Sequence, residues 1–407
     1  MSGPLTGIVV ADLTRALAGP HATMLLGDLG ARVIKVEQPG TGDECRHWGP
    51  PFAGPPDDQV STYFLSCNRN KESVTCNLKS ADGRILLARL ARHCDVLVEN
   101  FRPGVLDRAG FGPSRLHELN PRLVICSISG FGHDGPEHER PGYDQIVQGE
   151  AGLMSVTGPD RDHPVKSGLS VADILAGVNA AVGVLAALVE RQQTGRGRVV
   201  RTSLLASVVG AHAFQGTRWT VAGEVPHMTG NHHPSIAPYG AFRCADGLIQ
   251  IGVANEQQWR RFAAIGGLDP DDERFLANHL RVTHRDELTA EIEARLVVAG
   301  RAHWLGLLGE AGVPAGSIRT IDEVYQWEQT LAQGLVITVR HPVLGSIDLP
   351  GPALRFEDDG AADGSVRAGA DARDGHLEHA PPPLLGQHDA VVRAWLDEKD
   401  AAGRRTT

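Results

Sequence analysis

One acidic side chain stands where structure and chemistry compete. Asp173 follows Ser170 by three positions at the head of a long apolar run, so Ser170-Val171-Ala172-Asp173 reads as a helix-capping box. A carboxylate at a helix N-terminus is also favoured in its ionised form, which suits a nucleophile as well as a cap. Spacing alone favours the cap and leaves the nucleophile open. Basic residues at expected strand ends and loops, namely Arg15, Arg69, Lys71, Arg102 and Arg108, could hold phosphates where loops converge at the carboxyl edge of an open α/β sheet. Most scattered Arg and Lys are solvated surface, so each is a weak sign alone. The six cysteines are spread singly with no C-x-x-C pair, which fits free thiols in a reducing compartment. Histidines are dispersed, and the neighbours His232 and His233 diverge in most backbone conformations, so no metal centre is expected.

The elements that must position these side chains read as α/β. Residues 7–13 form a strand, 19–28 a helix and 33–37 a second strand, which makes a βαβ unit with parallel pairing. Short apolar runs at 73–78, 96–99, 123–129 and 199–202, with helices near 85 and at 174–192, continue an open twisted sheet. The fold class expected is therefore a Rossmann-like large domain with an open parallel sheet plus a smaller α+β domain. Texture shifts to Gly, Pro, His and Asn around 222–240, so the large domain is placed at 1–222 and the small one at 223–325. Residues 326–407 then return to the large domain, with a hairpin tip at 341–346 and a mobile acidic loop at 357–380. The uncharged stretch 174–189 falls short of the roughly 18 to 20 residues that span a bilayer and reads as a packing helix, so no membrane partner is expected. No basic n-region precedes an apolar h-region, which points to a cytoplasmic location.

Composition removes several function classes. The chain has 407 residues, 42% of them apolar, enough for one large core or two moderate ones. A net charge of −10 argues against a nucleic-acid partner, because backbone phosphates demand a basic face. The leading βαβ unit invites a dinucleotide reading, and Glu37 mimics the acidic ribose ligand of that fold. Gly19, Gly27 and Gly30 nevertheless do not form G-x-G-x-x-G in the first strand-to-helix turn, so the pyrophosphate loop is missing.

An ordered set of motifs over nearly the whole chain resembles the class III CoA-transferases (CaiB/BaiF type). It runs from Asp12-Leu13-Thr14-Arg15 and Ala18-Gly19-Pro20 through Asn68-Arg69-Asn70-Lys71, Val98-Glu99-Asn100-Phe101-Arg102-Pro103-Gly104 and Ser127-Ile128-Ser129-Gly130-Phe131-Gly132. It continues with Arg140-Pro141-Gly142-Tyr143-Asp144 and closes with Pro382-Pro383-Leu384-Leu385-Gly386-Gln387-His388. The resemblance implies that Asp173 is the nucleophilic aspartate. It also implies an interlocked homodimer and coenzyme A contacts from loops bearing Arg15, Asn100, Phe101, Arg102 and Arg108, with Arg69, Lys71 and Tyr143 counted among them. Arginine suits phosphate oxygens and Phe101 suits packing on adenine. Acyl-CoA is then a substrate, and no tightly bound cofactor is expected.

Tyr143 separates two branches of this family. In the α-methylacyl-CoA racemase branch a histidine fills that position, and racemisation needs a base and an acid on opposite faces of the α-carbon. A tyrosine with an ordinary pKa near 10 is a poor proton acceptor at neutral pH, so transfer is favoured over racemase-like isomerisation. The oxalate and formyl branch carries a run of glycines ending in glutamine, which is lacking here. The stretches 230–239, 278–282 and 341–345 are similar to transferases that use succinyl-CoA and dicarboxylic acids, glutarate in particular, with itaconate, mesaconate, citramalate and malate open as acceptors. Asn231, His232 and His233 are read as a substrate loop and lid, against the alternative of a polar turn. A catalytically inactive CoA-binding regulatory protein is the alternative of another class.

Overall fold

A computed structural model describes residues 3–356 and 378–404. They fall into two compact units. One comprises the described residues of Met1–Leu153, Ser167–Thr217 and Gln329–Thr407, the other Met154–Lys166 and Arg218–Glu328. The second unit has its longer segment at 218–328. It also takes in 154–166, an irregular stretch whose lack of periodicity leaves nothing for a sequence reading to assign.

In the large unit, β-branched runs form six strands: β1 (Val9–Asp12), β2 (Arg32–Glu37), β3 (Lys71–Thr75), β4 (Val96–Glu99), β5 (Val124–Ser129) and β6 (Val199–Ser203). All pair in parallel, in the order β3-β2-β1-β4-β5-β6. Adjacent residues alternate between two buried faces. Val10, Val33, Val98 and Val124 pack on helices α1 (Ala18–Asp28) and, downstream, Val171–Thr194. Ala11, Ile34, Val74 and Ile125 pack on α2 (Ala81–His93), α3 (Pro113–Leu119) and the C-terminal helix Asp389–Arg404. Burial on both sides is what near-continuous apolar strands require of a parallel sheet. The strand order reverses between β1 and β4, and in such sheets the ligand crevice lies at that switch point, outside the carboxyl ends of the strands.

Two further helices complete the frame, α4 (Asp144–Glu150) and α5 (Val171–Thr194). Helix α5 is long and apolar enough to cross a membrane by length and composition, longer than the expected 174–192. Its stripe of small residues, Ala172, Ala176, Ala180 and Ala187, lies in the core. A Cβ on Gly177 would stand 2.7 Å from the Ala18 carbonyl oxygen, so the α1–α5 crossing depends on glycine there. All six cysteines are free and buried.

Strand β3 begins two residues earlier than the expected 73, and this changes the reading of two basic residues. Lys71 lies inside the sheet layer, where its Nζ donates to Asp12 Oδ2 (3.0 Å), the Pro20 carbonyl (2.8 Å) and Asn68 Oδ1 (3.0 Å). Arg69 is also buried and clamps Asp28 with Nε and Nη2. Their charges are spent on internal carboxylates, so the structure places neither on a phosphate-facing loop. Lys35 and Asp43 form another buried pair at 2.7 Å. The expected hairpin is present as Val336–His341 and Gly345–Pro350, with His341 Nδ1 accepting from the Val343 and Leu344 N–H groups. Of the acidic stretch 357–380, all but the last three residues lie outside the described residues. Ala380 exchanges hydrogen bonds with Asn70.

The smaller unit is an antiparallel sheet of β7 (Tyr239–Cys244), β8 (Gly247–Gly252) and β9 (Ala315–Ser317), with β8 central. It packs with α6 (Glu256–Gly266), α7 (Arg285–Leu296) and α8 (Arg301–Glu310) around Trp259, Phe262, Phe275 and Ile249. Removing the acid of the Asp12–Lys71 pair would leave a buried ammonium without its counter-charge. Asp12→Ala should therefore cost about 3–5 kcal/mol, read as a lower urea midpoint for the large unit, or abolish soluble expression.

Candidate functional site

The first turn of α5 is held by a side chain from a different helix. Ser170 makes no side-chain capping bond, which corrects the capping box expected from Ser170 and Asp173. The cap is Asp144, in the first turn of α4. Its Oδ1 accepts from the Ala172 N–H (2.8 Å) and the Asp173 N–H (3.3 Å). Gln148, one turn along α4 and fully buried, donates from Nε2 to Asp144 Oδ2 (2.6 Å) and accepts the Ser167 N–H at Oε1 (2.8 Å). The approach to Asp173 is thereby fixed at both ends.

The Asp173 side chain is left out of this web. Among the described residues no hydrogen bond reaches its carboxylate. Burial pushes its pKa up to about 7, and the Asp144 charge adds to the rise. The sequence reading expected the helix N-terminus to hold this acid low. Burial outweighs that effect, and the cap adds a second negative charge in the same direction. Tyr63 stands nearby: its hydroxyl bonds Ser170, and burial followed by the Asp173 charge pushes its pKa upward. Its ring packs edge-on against Trp48 at 4.9 Å between centroids. A desolvated carboxylate that accepts few hydrogen bonds retains its nucleophilicity, and this is the property covalent catalysis by Asp needs. Sequence reasoning gave Asp144, Gln148 and Tyr63 no role. The i, i+4 spacing of Asp144 and Gln148 was the available signal.

The two loops at the switch point carry four of the expected coenzyme residues. Arg15, on the loop after β1, and Asn100, on the loop after β4, exchange two hydrogen bonds, Arg15 N–H to Asn100 Oδ1 (2.9 Å) and Asn100 Nδ2 to the Arg15 carbonyl (2.8 Å). The Arg15 guanidinium lies 5.2 Å from the Phe101 ring centroid, and Arg15 and Arg102 are both exposed. The β1 loop is anchored from beneath. Lys35 Nζ donates to the Thr14 carbonyl (3.0 Å), and Asp43 Oδ1 accepts the N–H of Ala16, which sits at φ 64°. Burial acts against the Asp43 charge, yet Lys35 brings its pKa down to about 2. Arg108 is exposed and lines a cavity of about 340 Å³ together with Arg102 and Glu99. Tyr143 is exposed at the N-cap of α4, one residue before Asp144.

In the smaller unit, the 230–240 loop is braced rather than loose. Asn278 accepts from the Ala237 N–H and donates to the Ser235 carbonyl, and Arg281 Nε donates to the Ala237 carbonyl at 2.9 Å. His232 packs edge-on to Phe242 and His233 stacks on Tyr239. Burial, then Arg285, lowers the pKa of both. Asn231 is exposed at the tip. Among the described residues no cluster of His, Cys, Asp and Glu could hold a metal ion.

The model described as "CoA-transferase family III" matches residues 5–388. The chain belongs to that family. Its members include a succinyl-CoA:glutarate CoA-transferase from Mus musculus, 41% identical over 387 residues, covering 95% of this chain and 84% of the relative. An acetyl-CoA:oxalate CoA-transferase from Acetobacter aceti is 38% identical over 371 residues, covering 90% and 92%. A crystal structure of a CAIB/BAIF family protein from Brucella suis superposes with a TM-score of 0.83 at 37% identity, covering 98% of this chain and 100% of that one. This family III chain is therefore an enzyme that transfers coenzyme A.

The two-carboxylate arrangement predicts a pH effect. Asp144→Asn keeps an oxygen to cap α5 and removes one negative charge. Because that charge helps raise the Asp173 pKa, the acidic limb of the rate profile should move to lower pH, by about one unit or less, with the plateau rate retained.

Proposed function

We propose that this transferase moves coenzyme A from succinyl-CoA to a dicarboxylic acid, with glutarate the first acceptor to assay, through covalent intermediates on Asp173. The observation that carries the reading is the Asp173 carboxylate itself: half-buried, raised to about 7, and given no hydrogen-bond donor by the described residues around it. The glutarate-specific name of a relative 41% identical supports the donor and acceptor class.

Exchange of one thioester for another is nearly neutral in free energy, so no ATP is needed. What the enzyme must prevent is loss of activation to water. The ionised Asp173 attacks the succinyl carbonyl and expels CoA thiolate, leaving a mixed aspartyl-succinyl anhydride. The retained thiolate attacks the aspartyl carbonyl and releases succinate, which leaves an aspartyl-CoA thioester. The acceptor carboxylate attacks that thioester and expels thiolate again. Attack of this thiolate on the acceptor carbonyl releases the new acyl-CoA and regenerates Asp173. Asp144 holds the helix turn under the nucleophile throughout, and its charge keeps Asp173 more basic than an ordinary aspartate.

Arg15, Asn100, Phe101, Arg102 and Arg108 are assigned to coenzyme A, on the support of their convergence at the strand-order reversal. Arg69 and Lys71 are assigned to holding that scaffold instead. Asn231, His232 and His233 are assigned to the acceptor. The outward face of α5, with Val178, Val182 and Val189 exposed at 39%, 59% and 61%, supports burial against a second copy of the chain in a homodimer. A cytoplasmic location is supported by the six buried free thiols.

Two measurements test this reading. Incubation with succinyl-CoA followed by hydroxylamine should place a hydroxamate on the peptide carrying Asp173, seen by mass spectrometry, and an unmodified peptide would remove the covalent route. Asp173→Asn should lower CoA transfer by on the order of 10³-fold or more across glutarate, itaconate, mesaconate, citramalate, malate and oxalate. The same enzyme should exchange no α-proton of a 2-methylacyl-CoA in deuterated water.

A further inference from the structure

The turn that carries Asn100, Phe101 and Arg102 starts from a buried acid that the transfer chemistry leaves unused. Glu99 ends β4. Ser127 is its register partner on β5, and Arg201 is the partner of Ser127 on β6, so the three side chains form one row on the same sheet face. Glu99 Oε2 accepts the Phe101 N–H at 2.8 Å. Its Oε1 is bonded by the Ser127 hydroxyl, and that same hydroxyl lies 2.7 Å from His133 Nε2. The row forms part of the lining of the cavity into which Arg102 and Arg108 also project.

We propose that Glu99 is a positioning residue whose ionisation, relayed through Ser127 to His133, sets how firmly the 100–102 turn is held for coenzyme A. The proposal rests on the assignment of that turn to the coenzyme. Two proton arrangements satisfy the same geometry. With Glu99 ionised, Ser127 donates to Oε1, and His133 donates its Nε2–H to the Ser127 oxygen. The Phe101 N–H then bonds a full negative charge, the stronger kind of hydrogen bond. With one proton added, Glu99 donates from Oε1 to Ser127, Ser127 donates to His133 Nε2, and the imidazole proton resides on Nδ1. The Phe101 N–H now meets a neutral carbonyl oxygen and the turn loosens. One proton is taken up from solvent, and no other group changes its count.

The surroundings place this exchange near neutrality. Burial pushes the Glu99 pKa up to about 7 and Asp107 adds to it, against Ser127, the Phe101 N–H and Arg201. Burial and Arg201 push His133 downward, with Asp134 opposing. His138, Glu139, Arg102 and Arg108 are the remaining charged or titratable groups of the cavity wall.

The test is CoA binding by calorimetry in the full chain carrying Asp173→Asn, which prevents turnover, between about pH 5.5 and 8.5. Glu99→Gln is compared with its Glu99 parent, so that titration of the coenzyme's own phosphate cancels. The variant should bind about 5-fold more weakly at the alkaline end, and the two dissociation constants should converge at the acid end. A ratio independent of pH overturns the relay. Should Glu99→Gln fold poorly by circular dichroism, Ser127→Ala serves instead: it cuts the path to His133 and spares the Phe101 contact. It should displace the midpoint of the pH dependence, and an unmoved midpoint overturns the relay. Arg108→Ala separates the layers. Loss of CoA binding there with Glu99→Gln tracking the parent sinks the relay alone, whereas unchanged binding in Arg108→Ala sinks the coenzyme assignment and the relay with it.

Discussion

The carboxylate of Asp144 at the N-terminus of α5 is the contact on which the site depends. A helix start leaves N–H groups without partners, and an acidic cap there contributes about 1 kcal/mol. By taking that position, Asp144 fixes the backbone from which Asp173 projects. It also sets a like charge beside Asp173, which opposes ionisation. The two effects work in opposite directions on stability and on reactivity. A carboxylate near pKa 4 is a poor nucleophile toward a thioester, and one near 7 is better while still substantially ionised under neutral conditions. Burial and the neighbouring acid together hold the Asp173 carboxyl above the ordinary carboxylate range.

The sheet supplies the second half of the site by a different device. The strand order reverses between β1 and β4, and reciprocal hydrogen bonds between Arg15 and Asn100 tie the loops after those strands together. Buried ion pairs lie directly beneath. Lys35 with Asp43, and Lys71 with Asp12, are expensive to desolvate and contribute less to net stability than to uniqueness of arrangement. The Thr14 carbonyl and Ala16 N–H are held by these same charges. The basic residues on the outer surface of the crevice are consequently free to meet an anion, while those inside serve as struts.

Sequence spacing foretold the layered parallel sheet because apolar runs and helices alternate along the first 200 residues. The assignment of Asp173 rests on an ordered series of motifs; its spacing pointed to Ser170 as the cap. The true cap comes from 29 residues upstream, and no local pattern encodes a contact of that range. Lys71 and Arg69 were misplaced for a related reason. A lysine opening a strand looks like a loop residue until the partner carboxylate, Asp12, is seen 59 positions away. The excursion of 154–166 into the smaller unit was likewise invisible, since it contains no periodic element. His232 and His233 were read as either turn or substrate loop, and their rings pack against Phe242 and Tyr239.

The burial of all six cysteines bears on life with a thiol substrate. Burial raises the pKa of every one of them, Cys45, Cys67, Cys76, Cys94, Cys126 and Cys244 alike, so thiolate is scarce at each. Disulfide exchange requires an accessible thiolate. An enzyme that transfers coenzyme A thus offers that thiol no ready thiolate of its own to couple with, and oxidised coenzyme would find no handle by which to poison the protein.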